Sequence, residues 1–175
     1  MRIIITIMVV LILQFSICNS QPPILTMNNI KMLEIINLKL MIQHKILLLK
    51  PNIDKSELNI LVDELYKIDK KENIIDSDLM IALIYVESRF VKKAKSRVGA
   101  IGYCQINSNV HDVPKGNKKY DATFQLRFSY NYLNTIYSMY QKNNLNNTLN
   151  YYNGRVKNNN YYKKVLNVKY KLSLV

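Results

Sequence analysis

Tryptophan is absent from this 175-residue chain, and cysteine, glycine and proline are scarce at two, four and four residues. Two cysteines cannot build a disulfide framework or a four-ligand zinc site. So little glycine and proline excludes collagen-like and low-complexity classes. Negative charge is scarce as well: 12 acidic side chains face 25 basic ones, and no acid follows Asp121. What remains is apolar. Hydrophobic residues make up 49% of the chain, enough for a compact core and too much for a disordered tail. Asn and Ile each occur 22 times and Lys 20 times against five Arg, the bias of an AT-rich coding sequence, so single scattered Lys, Asn and Ile carry little weight.

The N-terminus points to export. Met1 and Arg2 precede an unbroken apolar run, Ile3 to Leu13, followed by polar and small residues up to Pro22. Eleven helical residues span roughly 16 Å, short of a hydrocarbon core about 30 Å thick. A charged start, a short apolar stretch and small residues after it make a secretory signal, here residues 1–20, with cleavage near Cys18 to Ser20. The alternatives are an uncleaved N-terminal anchor and a lipoprotein, although Ile17 before Cys18 is not small. Cleavage leaves Cys104 as the only cysteine, so the mature chain carries no internal disulfide and relies on packing.

Charge is unevenly placed. Residues 54–87 hold nine acids and four bases, whereas residues 88–175 hold sixteen bases and two acids. A basic second half suits a polyanionic partner: nucleic acid, anionic lipid, or a wall polymer bearing peptide carboxylates. A solvated surface enriched in lysine by coding bias reads the same way.

Helical periodicity runs through nearly the whole chain. Leu25 to Lys50 is mostly apolar, with Ile30, Leu33, Ile36 and Leu40 on one face, and Pro51 stops it. Asp54 caps a helix to about Lys71, with Leu58, Leu61, Val62 and Leu65 at three- and four-residue spacing. Asp76 or Ser77 caps the next, Asp78 to about Phe90, which is apolar almost all round and therefore central. Residues 122–142 repeat the helical period, 143–147 form an Asn-rich connector, and shorter helical pieces follow at 148–153 and 159–169. No alternating strand pattern of useful length is present.

One polar residue interrupts the central helix. Glu87 shares a face with Met80, Leu83 and Ile84 in the last turn, where desolvation and the negative helix terminus favour its protonated form. A carboxylic acid protonated near neutral pH can protonate the leaving oxygen of a glycosidic bond. An ion pair with Arg89 or a nearby lysine is the alternative. The following residues favour the acid. Glu87, Ser88, Phe90, Ala94, Ser96, Gly99, Ala100, Gly102 and Gln105 reproduce the spacing E-S-x-F-x-x-x-A-x-S-x-x-G-A-x-G-x-x-Q, which resembles the signature of the lytic transglycosylase domain. Downstream, Asp121 to Leu133 resembles D-P-x-x-N-I-x-x-G-x-x-Y-L, Tyr152-Asn153-Gly154 is similar to A-Y-N-A-G, and Tyr161 to Val165 to Y-V-x-K-V. The likeness covers roughly residues 73–168 in order. Departures are Tyr103-Cys104 for Leu-Met, Ala122 for Pro, Gln125 and Ser129 for Asn and Gly, and one residue missing between Asn153 and Gly154.

The resemblance implies a mainly α, lysozyme-like helical domain over residues 73–175, its central buried helix ending at a catalytic Glu87; the helical periodicity before it, which the likeness does not reach, makes residues 21–72 a helical N-terminal extension. It implies cleavage of the β-1,4 bond between N-acetylmuramic acid and N-acetylglucosamine in peptidoglycan. The glutamic acid protonates the bridging oxygen, and its carboxylate then takes the proton from the C6 hydroxyl of the same muramoyl sugar to close a 1,6-anhydro ring. The nucleophile belongs to the substrate, so neither a second protein carboxylate, as ordinary glycosidases use, nor a metal or cofactor is required. By position, Ser96 and Gln105 match groove-lining polar residues. Tyr152 matches a tyrosine whose hydroxyl approaches the catalytic carboxyl, and Asn153 a sugar-contacting asparagine. Gly99, Ala100 and Gly102 let the backbone run close to the acetamido groups, and Tyr103 adds a sugar-stacking face. The plainer alternatives are Ser96 as a cap, Tyr152 as core and Tyr103 as an exposed loop aromatic. Cys104 reads as inert packing. The implied setting is periplasm or cell envelope, with peptidoglycan glycan strands as partner, a secretion or division assembly as a further one, no nucleic acid, and a monomer. Competing readings are a hydrolytic, goose-type lysozyme-like muramidase and a non-enzymatic basic polyanion-binding protein.

Overall fold

The computed structural model describes residues 26–71, 74–154 and 160–175, so the expected signal peptide lies outside the described residues. Six α-helices are described, in the order α1 (Met27–Leu49), α2 (Lys55–Asp69), α3 (Ser77–Ser88), α4 (Ala122–Thr135), α5 (Leu145–Tyr152) and α6 (Tyr161–Leu172). Two two-residue strands, β1 (Ala100–Ile101) and β2 (Ile106–Asn107), pair antiparallel between α3 and α4. The mainly helical, lysozyme-like architecture expected from the sequence is the one observed. The described residues divide into two units, one holding residues 26–37 and the other residues 38–175. No described helix is long and apolar enough to cross a membrane.

The helix α3 sits where its composition requires. Asp76 caps it by accepting the Leu79 N–H at 2.8 Å, and Leu79 through Ile84 have no exposed surface at all. Burying each leucine or isoleucine there contributes about 1.5–3 kcal/mol. The helix packs against α6 and α2, and α2 packs in turn on α4. Asp54 caps α2 through the Ser56 and Glu57 N–H groups, and the expected stripe of Leu58, Leu61, Val62 and Leu65 faces the core.

Leu58, Leu61 and Leu65 belong to the same buried cluster as Leu79 to Ile84. An amphipathic helix must bury its stripe on a neighbour, and α2 buries it on the elements that hold the site. Within residues 38–49 of α1, Ile42 and Ile46 are buried while Leu40 is half exposed, so the packed face differs from the one expected. A helix apolar on every side gives periodicity no face to choose.

Two further elements depart from the sequence reading. The helix expected over 122–142 ends as α at Thr135 and continues as one π turn, Ile136–Tyr140, in which the Gln141 N–H bonds Ile136 O five residues back. The expected connector 143–147 is partly helix, because Asn144 caps α5 by accepting the Asn147 N–H at 3.0 Å.

Candidate active site

Glu87 lies in the last turn of α3, and the chain turns away immediately after Ser88. Arg89 and Phe90 both adopt left-handed backbone, φ 54° and 58°. Two such residues in succession are costly without glycine. Burial of the Phe90 ring and stacking of the Arg89 guanidinium 4.0 Å above the Tyr85 ring hold them there. Arg89 is thereby turned onto a ring rather than into an ion pair with Glu87. Burial raises the Glu87 carboxyl to about 7, with one hydrogen bond from the Tyr161 hydroxyl (2.5 Å to Oε1) pulling the other way.

The segment from Ala94 to Asn107 forms the wall beside the acid. Ser96 Oγ accepts the Val98 and Ala100 N–H groups, closing the turn that leads into β1. Gly102 has φ 76°, and a Cβ there would stand 2.5 Å from the Gln125 side chain. Gln125 is fully buried and occupies that space for a reason: its Oε1 accepts the Cys104 N–H, and its Nε2 donates to Lys119 O. Gln105, itself left-handed at φ 51°, donates Nε2 to Gly102 O.

A groove of about 510 Å³ gathers Glu87, Ser96, Gln105, Tyr152 and Asn153, five of the six site residues expected from the sequence. Among the described residues, Glu87 is the only carboxylate on its walls. Tyr132, Tyr151 and His111 supply an aromatic side. His111 meets the Tyr132 ring edge-on at 4.8 Å, and its burial lowers its pKa.

Tyr103 is the residue the expectation misplaces. It is completely buried, hydrogen-bonded through its hydroxyl to Glu57 on α2, and offers no ring face to a sugar. Glu57 also pairs with Lys92 at 2.7 Å, so this contact ties the wall to α2. Tyr152 needs a second correction. Its hydroxyl donates to Cys104 O at 2.8 Å and pairs with Ser129 Oγ at 2.9 Å, and it makes no hydrogen bond to Glu87. The hydroxyl on Glu87 is that of Tyr161, at the start of α6. Its signal was already present in the Y-V-x-K-V likeness, which carried no role for the tyrosine. Cys104 is fully buried and its thiol is pushed up to about 12 by desolvation, so it is unreactive packing.

These features define a class: a helical domain whose groove is organised around one half-buried, protonatable glutamic acid with no basic side chain paired to it among the described residues. The family model for the transglycosylase SLT domain matches residues 64–173, and the chain belongs to that family, peptidoglycan lytic transglycosylases. No curated protein and no solved structure matches the chain.

Proposed function

We propose that the protein cleaves the β-1,4 bond between N-acetylmuramic acid and N-acetylglucosamine without water, leaving a 1,6-anhydromuramoyl end. The observation that carries this reading is a groove with one carboxylate, raised to about 7 and bonded to a single hydroxyl. A group with that pKa is substantially protonated at neutral pH and can give its proton to the bridging oxygen as the bond breaks. The carboxylate so formed accepts the proton of the muramoyl C6 hydroxyl as that oxygen closes on C1. Each turnover returns the acid to its starting form. Tyr161 has a part in both halves. Its hydroxyl stabilises the carboxylate between the two transfers and fixes which oxygen faces the sugar. Hydrolysis by either two-carboxylate route requires a second acid roughly 5–9.5 Å away, and the groove wall supplies none.

On this reading Ser96, Gln105 and Asn153, which line the groove, contact the acetamido and hydroxyl groups of the strand, and Tyr152 holds the wall rather than the acid. We assign residues 1–20 to a cleaved export signal, which places the enzyme in the periplasm or cell envelope, and residues 21–72 to a helical extension. A monomeric enzyme is proposed, with a secretion or division assembly as a further partner. Purified protein incubated with peptidoglycan should release muropeptides lighter by one water than their reducing counterparts in mass analysis. Reducing ends alone would overturn the non-hydrolytic step in favour of a muramidase, and no release would leave the polyanion-binding reading.

A further inference from the structure

Tyr151 occupies the alanine position of the A-Y-N-A-G pattern, so at this place the chain carries a large flat ring where the pattern has a methyl group. The ring lines the groove that holds Glu87. It is also backed. Tyr140 stacks on it with centroids 6.0 Å apart and planes 7° from parallel. Tyr140 reaches that position by the π turn at the end of α4, after which Lys142 and Asn143, both left-handed at φ 49° and 61°, return the chain toward α5. π turns inside helices recur at functional sites. Tyr140 itself is 61% exposed, so its stacking serves Tyr151 more than the core.

We propose that Tyr151, held by Tyr140, is a stacking platform for one pyranose ring of the bound glycan, a subsite that an alanine at this position cannot form. This rests on the function proposed above. A β-linked N-acetylhexosamine presents a face of axial C–H groups that is apolar and slightly positive, and an aromatic face is apolar and slightly negative. Tyr140 lies parallel to Tyr151 and offset from it, and Tyr151 itself lines the groove. The parallel stack restricts the side chain of Tyr151 before ligand arrives, so less ordering entropy is lost on binding. Tyr132, also on the groove wall, limits where the sugar ring can lie. The platform adds binding along the strand and takes no part in proton transfer.

The test uses Glu87→Gln protein as the parent, so that the strand is bound and not cut, with calorimetry on a peptide-free glycan of several disaccharide repeats. Adding Tyr151→Ala should weaken affinity by roughly tenfold, the scale of one well-placed aromatic contact. Tyr151→Phe, which keeps the ring, should retain affinity, and Tyr140→Ala should fall between. With Glu87 intact, Tyr151→Ala should raise KM for the same glycan more than it lowers kcat. Unchanged affinity in Tyr151→Ala while the parent binds overturns the platform and leaves the proposed function standing. A loss in Tyr151→Phe as large as in Tyr151→Ala also overturns it, since the hydroxyl would then be the contact. A parent that binds no glycan overturns both.

Discussion

Two glutamates on successive helices are withdrawn from solvent in this protein, Glu64 fully and Glu87 partly, and they are tuned in opposite directions. Glu64 on α2 has a side chain 6% exposed and is met by Arg127 at 2.8 Å and Lys67 at 2.7 Å. Desolvation raises its pKa, but the two hydrogen-bonded cations more than reverse that and hold it below the usual carboxylate range. Glu87 on α3 receives no cation and one hydroxyl, so desolvation prevails. Burial alone therefore does not make a catalytic acid; the partner decides. Glu64 is a structural anion joining α2 to α4, and Glu87 is the group that the proposed mechanism uses as proton donor.

The sharpest way to break this contrast is to remove the acid. Glu87→Gln should lower bond cleavage by at least ~10²-fold, the lower range for general acid catalysis. Its stability should show a second sign of the same tuning. Because the folded carboxyl titrates near 7 and the unfolded one near the ordinary value of 4.5, the folded state holds the proton more tightly. The protein thus loses stability as pH rises from about 4.5 to 7 and holds level above that, by an amount on the order of 3 kcal/mol. Glu87→Gln should abolish that slope, which denaturation at pH 5 and pH 8 would detect, and turnover of the unaltered protein should fall as pH rises through 7.

Tyr161→Phe comes next. Without its hydroxyl the carboxylate loses its one donor, so turnover should fall roughly tenfold, about the value of one hydrogen bond to a charged group. The alkaline limb of the pH–rate profile should move upward, because the bond lowers the Glu87 pKa. A downward move would contradict the assignment. Gly102→Ala tests the wall that Tyr103 and Tyr152 support. A Cβ 2.5 Å from buried Gln125 on left-handed backbone should cost about 2 kcal/mol or more in chemical denaturation. Smallest is Arg127→Ala on the Glu64 side. It should cost little at neutral pH, since Lys67 remains and Arg127 is mostly exposed. Glu64 is held below its unfolded value, so this cost should be present above the unfolded pKa and shrink as pH falls through the folded one.

The contrast also marks what a sequence can reveal. Asp54 and Asp76 were legible as caps because an N-cap reads only its next three residues. Glu87 was legible because a charge in an apolar helix stands out locally, and Gly102 because glycine in a short span signals left-handed backbone or close approach. Partners were not legible. The hydroxyl on Glu87 comes from Tyr161, 74 residues on, and the carboxylate on Tyr103 from Glu57, 46 residues back. A tyrosine between two turns looks the same whether it faces the groove or the core, which is why Tyr103 read as a sugar platform and Tyr152 as the acid's partner. The departures from the family pattern seemed scattered for the same reason. In space, Cys104, Gln125 and Ser129 are joined through hydrogen bonds that also include Tyr152, so they form one patch of wall.

The chain has five glutamates, so labelling their side-chain carboxyl carbons with ¹³C yields a spectrum simple enough to titrate residue by residue. Glu87 is assigned by its disappearance in Glu87→Gln and Glu64 by Glu64→Gln. The expected result is one carboxyl titrating near 7 and assigned to Glu87, with Glu64 below the ordinary range. A Glu87 carboxyl titrating near 4.5 would mean that it is ionised at neutral pH and has no proton to give, and the one-acid mechanism would fall with it.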